Sequence, residues 1–299
     1  MEECGVRGPL NSWFRDYLTA RTYRVRVGES LSEPATDVLC GLPQGSGCGP
    51  VGYLMHVNSL CRVLRHATAY MFADDLCTIH ASGDIAEISR LVQEDVDNIV
   101  KWSHDNGIIL NIEKTKMLII KSPYCSVPDI HCSIITHSYD CLHKQCNCIC
   151  KPIERVNCVT YLGMQIDENF NWRYHIEKLC DKMRVMLCKF YNLQFKVPQK
   201  VLRCLYMALI DSMIGYGLEC YGLTFKTYIE KIEIIQIRFL KLIVGEKLKI
   251  RFKDNYKELF KICNVLPASE KHKYLLATVL LEAKKSNNTK LDSKQRYIR

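Results

Sequence analysis

The hydrophobic period changes once along this sequence, near Asp167, and that change limits the folds open to it. Before it, short apolar runs are broken by clusters of glycine, proline and polar residues. After it, apolar residues return at the three- and four-residue spacing of a helix face almost to the end. Ile176, Cys180, Met183 and Leu187 make one stripe. Val201, Cys204, Leu205, Ala208 and Leu209 make a second, and Ile232, Ile235, Phe239 and Leu242 a third that Gly245 stops. The expectation is an α+β chain, with a mixed first part and a wholly helical second part.

With 299 residues, 48% of them apolar, the chain can bury cores in two or three units. No run reaches the ~18 consecutive apolar residues of a membrane span. Residues 1–14 lack the charged lead and apolar run of a signal peptide. An intracellular protein with no membrane partner is expected. In that setting the 17 cysteines read as reduced core residues, as at Cys61, Cys77, Cys180, Cys188 and Cys204, not as a disulfide framework. The net charge of +9 is uneven: residues 1–165 carry −3 and residues 166–299 carry +12. A basic half of this kind either faces a polyanion or is a solvated, lysine-rich surface. Lys247, Lys249, Arg251 and Lys253 show both possibilities, as one patch for a nucleic-acid backbone or as the wet face of an amphipathic strand.

Several elements of the first part can be read directly. Residues 11–28 suggest a short helix running into a strand, with Tyr23, Val25 and Val27 alternating against Arg24 and Arg26. Gly41–Pro50 packs four glycines and two prolines into ten residues, which makes a constrained loop. Pro50 suits the first turn of a helix whose stripe would be Leu54, Val57, Cys61 and Leu64. Residues 67–81 read as two strands around a turn that holds Asp74 and Asp75, with Tyr70 and Phe72 on one face. Asp84 with Glu87 forms a capping box for a helix buried along Ile85, Ile88, Val92, Val96 and Ile99, and Gly107 can end it. A strand follows at Met117–Ile120. Residues 123–157 look like an inserted loop, and Val159–Ile166 like one strand containing Gly163.

An Asp pair at a hairpin turn can hold a divalent ion where a substrate phosphate would sit, because carboxylate oxygens are the hard ligands Mg²⁺ prefers. A two-metal site built from such groups stabilises the attacking and leaving oxygens of an in-line displacement. Alone, the pair is an ordinary solvated turn, and its meaning comes from its neighbours. These are Gly-Leu-Pro-Gln-Gly-Ser at 41–46, Phe-Ala-Asp-Asp at 72–75, Asn-Ile-Glu-Lys-Thr-Lys at 111–116 and Tyr-Leu-Gly at 161–163.

In this order and spacing the four motifs resemble those of reverse transcriptases, most closely the non-LTR, LINE-type and jockey-like retrotransposon enzymes. The resemblance covers most of residues 5–245. It implies an RNA-directed DNA polymerase with Mg²⁺ or Mn²⁺, an RNA template, a DNA primer and deoxynucleoside triphosphates, and it leaves the oligomeric state open. The fold it implies is a partial palm followed by a helical thumb. The expected divisions are fingers and palm at 1–122, an inserted loop at 123–157, a last palm strand at 158–168, and a basic thumb with an extension at 169–299.

Position by position, the resemblance makes Asp74 the metal-binding carboxylate and Asp75 its less stringently required neighbour. Pro43, Gln44, Gly45, Phe72 and Ala73 fall at the nucleotide and template. Lys114 or Lys116 falls near the leaving group, with both left open, and Tyr161, Leu162 and Gly163 form the primer grip. The family places a further metal-binding Asp on a strand upstream of the segment resembling Asn11–Leu18. Glu2 and Glu3 show no such strand pattern, and Asp16 lies within the helix. The chain by itself is therefore expected to be inactive and prone to associate. Two other readings stand beside this one. The first is a non-catalytic nucleic-acid-binding remnant. The second is a zinc-dependent interaction protein that draws ligands from Cys141, His143, Cys146, Cys148, Cys150 and Cys158, against which those residues form only a reduced loop.

Overall fold

The computed structural model describes residues 5–33, 41–43, 45–121, 133–143, 150–245 and 256–288. The chain divides into two compact units, one of Met1–Thr115 with Ser126–Glu154, the other of Lys116–Cys125 with Arg155–Arg299. Among the described residues helices dominate and the strands pair in twos, so the α+β expectation holds.

In the first unit α1 spans Pro9–Leu18, with proline in its first turn. The strand expected after it is brief. β1 (Arg26–Val27) pairs with β2 (Ser30–Leu31) around Gly28, and Tyr23, Val25 and Val27 are all exposed. Their alternation met no partner layer. Helix α2 (Gly49–Val57) begins at Pro50 as expected, but a break separates it from α3 (Leu60–Val63). The break rotates the expected stripe, so Val57 and Leu60 are buried while Leu54 is exposed.

Strands β3 (Thr68–Phe72) and β4 (Asp75–Ile79) form the expected hairpin, in register Tyr70↔Cys77 and Phe72↔Asp75. Met71 and Leu76 turn toward a small core of Val57, Leu60 and Trp102. Tyr70 and Phe72 do share a face, and that face is exposed.

Helix α4 (Ile85–Asp105) starts at an Asp84 cap whose side chain accepts from the Ala86 N–H. The reciprocal half of the capping box runs through a relay: the Asp84 N–H donates to Ser82 Oγ at 3.1 Å, and that hydroxyl donates to Glu87 at 2.6 Å. Gly107, at φ 65, ends the helix, where the Ile108 N–H reaches back to the Ser103 carbonyl at 2.8 Å. Ile85, Ile88, Val92, Val96 and Ile99 are only half-buried, and the fully buried positions are Asp95, Val100, Trp102 and Ser103. Among the described residues of the inserted stretch, Ile135 bridges Pro152, and α5 covers Tyr139–His143.

The second unit opens with β5 (Lys116–Leu118), shorter than the expected run, paired with β6 (Glu154–Val156). The single strand expected at 159–166 is in fact a hairpin of β7 (Cys158–Tyr161) and β8 (Met164–Asp167). Leu162 and Gly163, at φ 46 and 78, make the left-handed two-residue turn that reverses a strand pair.

Helix α6 (Arg173–Leu193) buries Ile176, Cys180, Met183 and Leu187 as expected. Helix α7 (Gln199–Leu205) then widens into a π-helical stretch at Tyr206–Asp211 before α8 (Ser212–Gly215) and α9 (Leu218–Tyr221). The widened turn keeps residues four apart on one face, so the core takes Leu202, Tyr206, Ile210 and Ile214. The second expected stripe is thereby displaced, with Val201, Cys204 and Leu209 exposed. Helix α10 (Lys226–Val244) buries its predicted face and stops at Gly245. Helices α11 (Tyr256–Cys263) and α12 (Ala268–Asn288) complete the bundle.

Phe239 anchors that core edge-to-face against Phe190, ring centroids 4.9 Å apart. The buried Gln236 amide is satisfied on both sides, donating to Tyr206 Oη at 3.0 Å and accepting from the Ala268 N–H at 2.9 Å. Of the cysteines read as core, Cys180 is buried, Cys61 and Cys77 are half-buried, and Cys188 and Cys204 are exposed. Among the described residues, no helix is long and apolar enough to cross a membrane.

Candidate active site

Asp74 lies in the two-residue turn between β3 and β4, and Asp75 opens β4. Both are exposed, as are Phe72 and Ala73. Ala73 carries φ 51, a left-handed conformation that costs a residue with a Cβ on the order of 1–2 kcal/mol. A two-residue hairpin turn calls for positive φ at its first central residue, and two features of the first unit surround the hairpin that bears it.

On one side is Tyr53 of α2, packed against the Val57–Leu60–Trp102 core. Burial, and then the nearby charge of Asp74, hold its hydroxyl above the usual tyrosine range. The helix that follows the glycine-rich loop is thus near enough to the carboxylate turn to feel its charge. The loop itself is braced by Ser46, whose Oγ accepts from the Gly49 N–H at 3.0 Å and bonds the Tyr17 hydroxyl of α1. Pro43 is half-buried and Gly45 exposed beside it, and Gln44 lies outside the described residues.

The second contact is at the base of the hairpin. Asp95 of α4, 1% exposed, accepts from the backbone N–H groups of Arg65, His66 and Ala67 at 2.7, 3.1 and 2.8 Å. His80 Nε2 meets the same carboxylate at 3.0 Å. The residues entering β3 and the residue leaving β4 are thus tied to one side chain. Burial alone would raise the Asp95 pKa, but the backbone and His80 hydrogen bonds outweigh it and leave the carboxyl below its ordinary value. Neither Tyr53 nor Asp95 was singled out from the sequence. Asp95 left one signal, an acidic residue one turn from Val92 and Ile99 on the face meant for the core.

Lys114 is exposed in a turn, where its N–H donates to Asn111 Oδ1 at 3.1 Å, within the first unit. Lys116 stands on β5 and Tyr161–Gly163 at the β7–β8 turn, both in the second unit. At that second hairpin the Tyr216 hydroxyl donates to the Leu162 carbonyl at 2.6 Å, fixing the turn against the helical bundle. Gly163, His175, Lys178, Lys182 and Tyr216 line a shallow concavity beside it. Burial, followed by Lys182 and Lys178, pushes the His175 pKa down, so it is neutral at pH 7 and the two lysines supply the positive charge. Asp167, 2% exposed, accepts from the N–H groups of Asn169, Asn171 and Trp172 at 3.1, 3.2 and 2.8 Å. It does for the second hairpin and α6 what Asp95 does for the first hairpin. Lys247, Lys249, Arg251 and Lys253 lie outside the described residues.

The carboxylate pair supplies hard oxygen donors in reach of solvent, which fits Mg²⁺ or Mn²⁺. Among the described residues no third His, Cys, Asp or Glu completes a ligating group with Asp74 and Asp75.

The chain belongs to the reverse transcriptase (RNA-dependent DNA polymerase) family, whose model matches residues 1–166. Its relatives place it with the non-LTR retrotransposon enzymes, as the motif resemblance implied. It is 21% identical over 271 residues to the probable RNA-directed DNA polymerase from transposon X-element of Drosophila melanogaster, covering 88% of this chain and 28% of that protein. It is 22% identical over 257 residues to the RNA-directed DNA polymerase from mobile element jockey of the same species, covering 82% and 26%. The Pol polyprotein from type-1 retrotransposable element R1 2 of Nasonia vitripennis aligns at 24% identity over 54% of this chain and 40% of its own length. The chain thus spans about a quarter of the length of the Drosophila relatives it matches. No solved structure shows a significant match.

Proposed function

We propose that this chain is the palm-to-thumb portion of a retrotransposon RNA-directed DNA polymerase. In this reading Asp74, with Asp75 beside it, holds Mg²⁺ or Mn²⁺, which when bound neutralises charge on the transferring phosphate. Pro43, Gln44 and Gly45, with Phe72 and Ala73, contact the incoming nucleotide and template. Lys114 or Lys116 sits toward the leaving group. Tyr161, Leu162 and Gly163 hold the primer end, and the basic second unit follows the template–primer backbone. The observation that carries this reading is the β3–β4 turn: two exposed carboxylates on a strained reversal, with Asp95 gripping both ends of the hairpin.

The family resemblance places a further metal-binding Asp on another strand, and the described residues offer this pair without a third ligand. Residues 1–299 by themselves are therefore proposed to bind template–primer without extending it, which unites the enzymatic and the binding-remnant readings. Primer extension on an RNA template with Mg²⁺ or Mn²⁺, run beside a filter-binding assay, tests both halves. Binding that weakens steeply with salt and no extension is expected. Extension abolished by Asp74→Ala would overturn the half-site claim while supporting the polymerase reading. Absence of nucleic-acid binding at low salt would overturn the polymerase reading.

A further inference from the structure

We infer that His137, Cys141 and Cys150 form a zinc site that fastens the inserted segment to helix α4. It involves none of the residues assigned to polymerisation. The ligating atoms of the three side chains all lie within 4.8 Å of one another. The Cys141 and Cys150 sulfurs are 3.7 Å apart. Two thiolates at about 2.3 Å from a tetrahedral zinc are separated by about 3.8 Å, whereas a disulfide needs ~2.05 Å. The pair therefore already stands at metal-bridged spacing. Two thiolates and a neutral imidazole also cancel the charge of the ion, so a half-buried site carries no net charge.

The surroundings support thiolate character. The Ser138 N–H donates to Cys150 Sγ at 3.3 Å, and Ser138 Oγ accepts from the Cys141 N–H at 3.3 Å. The first bond puts a donor on a ligand sulfur, which orients it and stabilises its charge; the second caps the turn that carries Cys141. The three ligands also sit on a fixed frame. The Ile153 N–H bonds the Ile134 carbonyl at 2.7 Å, and Ile135 bridges Pro152. Gln93 of α4 bonds both backbone groups of Ile135, at 2.7 and 2.8 Å. The Tyr139 ring stacks on His104 of α4, centroids 3.4 Å apart. The ion would lock this frame onto the helix that carries Asp95. From the cysteine cluster in the sequence, the fold selects Cys141 and Cys150, adds His137, and places Cys158 on β7 in the other unit. Cys146, Cys148 and the His143 side chain lie outside the described residues, and a water suffices for the fourth position.

Cobalt(II), added to the full 299-residue chain under reducing conditions after chelation, is the direct probe, with zinc as competitor. One equivalent is expected to give the visible bands of a tetrahedral, thiolate-ligated ion, bleached by zinc. Cys141→Ser and Cys150→Ser should each weaken binding beyond the ~10–100-fold that loss of an outer-shell partner costs, and His137→Gln should remove the imidazole contribution. Cys146→Ser/Cys148→Ser should retain one equivalent. A parent spectrum without tetrahedral thiolate bands overturns the site, whatever becomes of the variants. So do bands that survive Cys141→Ser/Cys150→Ser, or bands lost when only Cys146 and Cys148 are changed.

Discussion

Asp95→Ala removes one side chain and four of its contacts: three backbone N–H groups and the His80 imidazole. A hydrogen bond to a charged group contributes about 1.5–3 kcal/mol, and a buried donor left unpaired costs about 1–3 kcal/mol. Arg65 and His66 are exposed enough for water to replace part of this, while Ala67 and His80 are more enclosed. The expected loss is therefore about 3–5 kcal/mol, a large share of the 5–15 kcal/mol typical of a domain. Asn keeps one carbonyl acceptor but opposes an amide to a backbone N–H, so Asp95→Asn should lose about 2–3 kcal/mol.

The folded-state pKa of Asp95 lies below its unfolded value. Its stabilisation is thus fully present above the ordinary aspartate pKa of ~3.9 and disappears as the pH falls through the folded value. Urea unfolding followed by fluorescence, with Trp102 buried in the first unit's core, measures both effects. The gap between parent and Asp95→Ala should narrow as the pH falls below about 4 and through the lowered folded-state value. An alanine variant within ~1 kcal/mol of the parent would refute the tethering role, as would a gap that persists unchanged into strong acid.

Other outcomes follow from individual contacts. Leu162→Asn, placed before Gly163 where both residues have positive φ, should raise stability in thermal melts by about 0.5–1 kcal/mol, because Asn-Gly suits this reversal better than Leu-Gly. Phe239→Ala, which empties the middle of the second unit's core, should cost about 3–5 kcal/mol in denaturant titrations. Alkylation read by mass spectrometry should reach exposed Cys188 and Cys204 in the native chain. It should spare buried Cys180 and Cys263, the latter with its thiol pushed up to about 11 by burial. Tyr70, Phe72 and Ile79 leave an apolar hairpin face open, so the chain should associate at micromolar concentration. Phe72→Lys should reduce that association in sizing chromatography.

Legibility followed the range of the interactions involved. Helix α4, its cap at Asp84 and its stop at Gly107 depend on neighbours in sequence, and the β3–β4 hairpin on a local alternation. All were readable. The third helical stripe was readable too, because α10 is regular along its length. The second was misread because a π-helical stretch changes the spacing at which side chains share a face, and nothing in Tyr206–Asp211 announces that change locally. The β7–β8 reversal was missed because Leu-Gly is not a common turn pair, and Tyr216 holds it from far along the chain. For the candidate site the motif residues were picked out by local sequence alone. Asp95 and His80, which tie the base of the hairpin, were not, since they act through a contact between elements. The inserted segment hid His137 for the same reason: it is four residues from Cys141 but thirteen from Cys150.

The central claim is that the Asp74–Asp75 turn is the place where this chain meets its divalent ion. Mn²⁺ titrated into isotopically labelled chain tests it through paramagnetic broadening of backbone resonances. Broadening should begin at Ala73, Asp74 and Asp75, spread next to Tyr53, and vanish in Asp74→Ala/Asp75→Ala. Broadening that begins elsewhere, or that the double substitution leaves unchanged, would contradict the account.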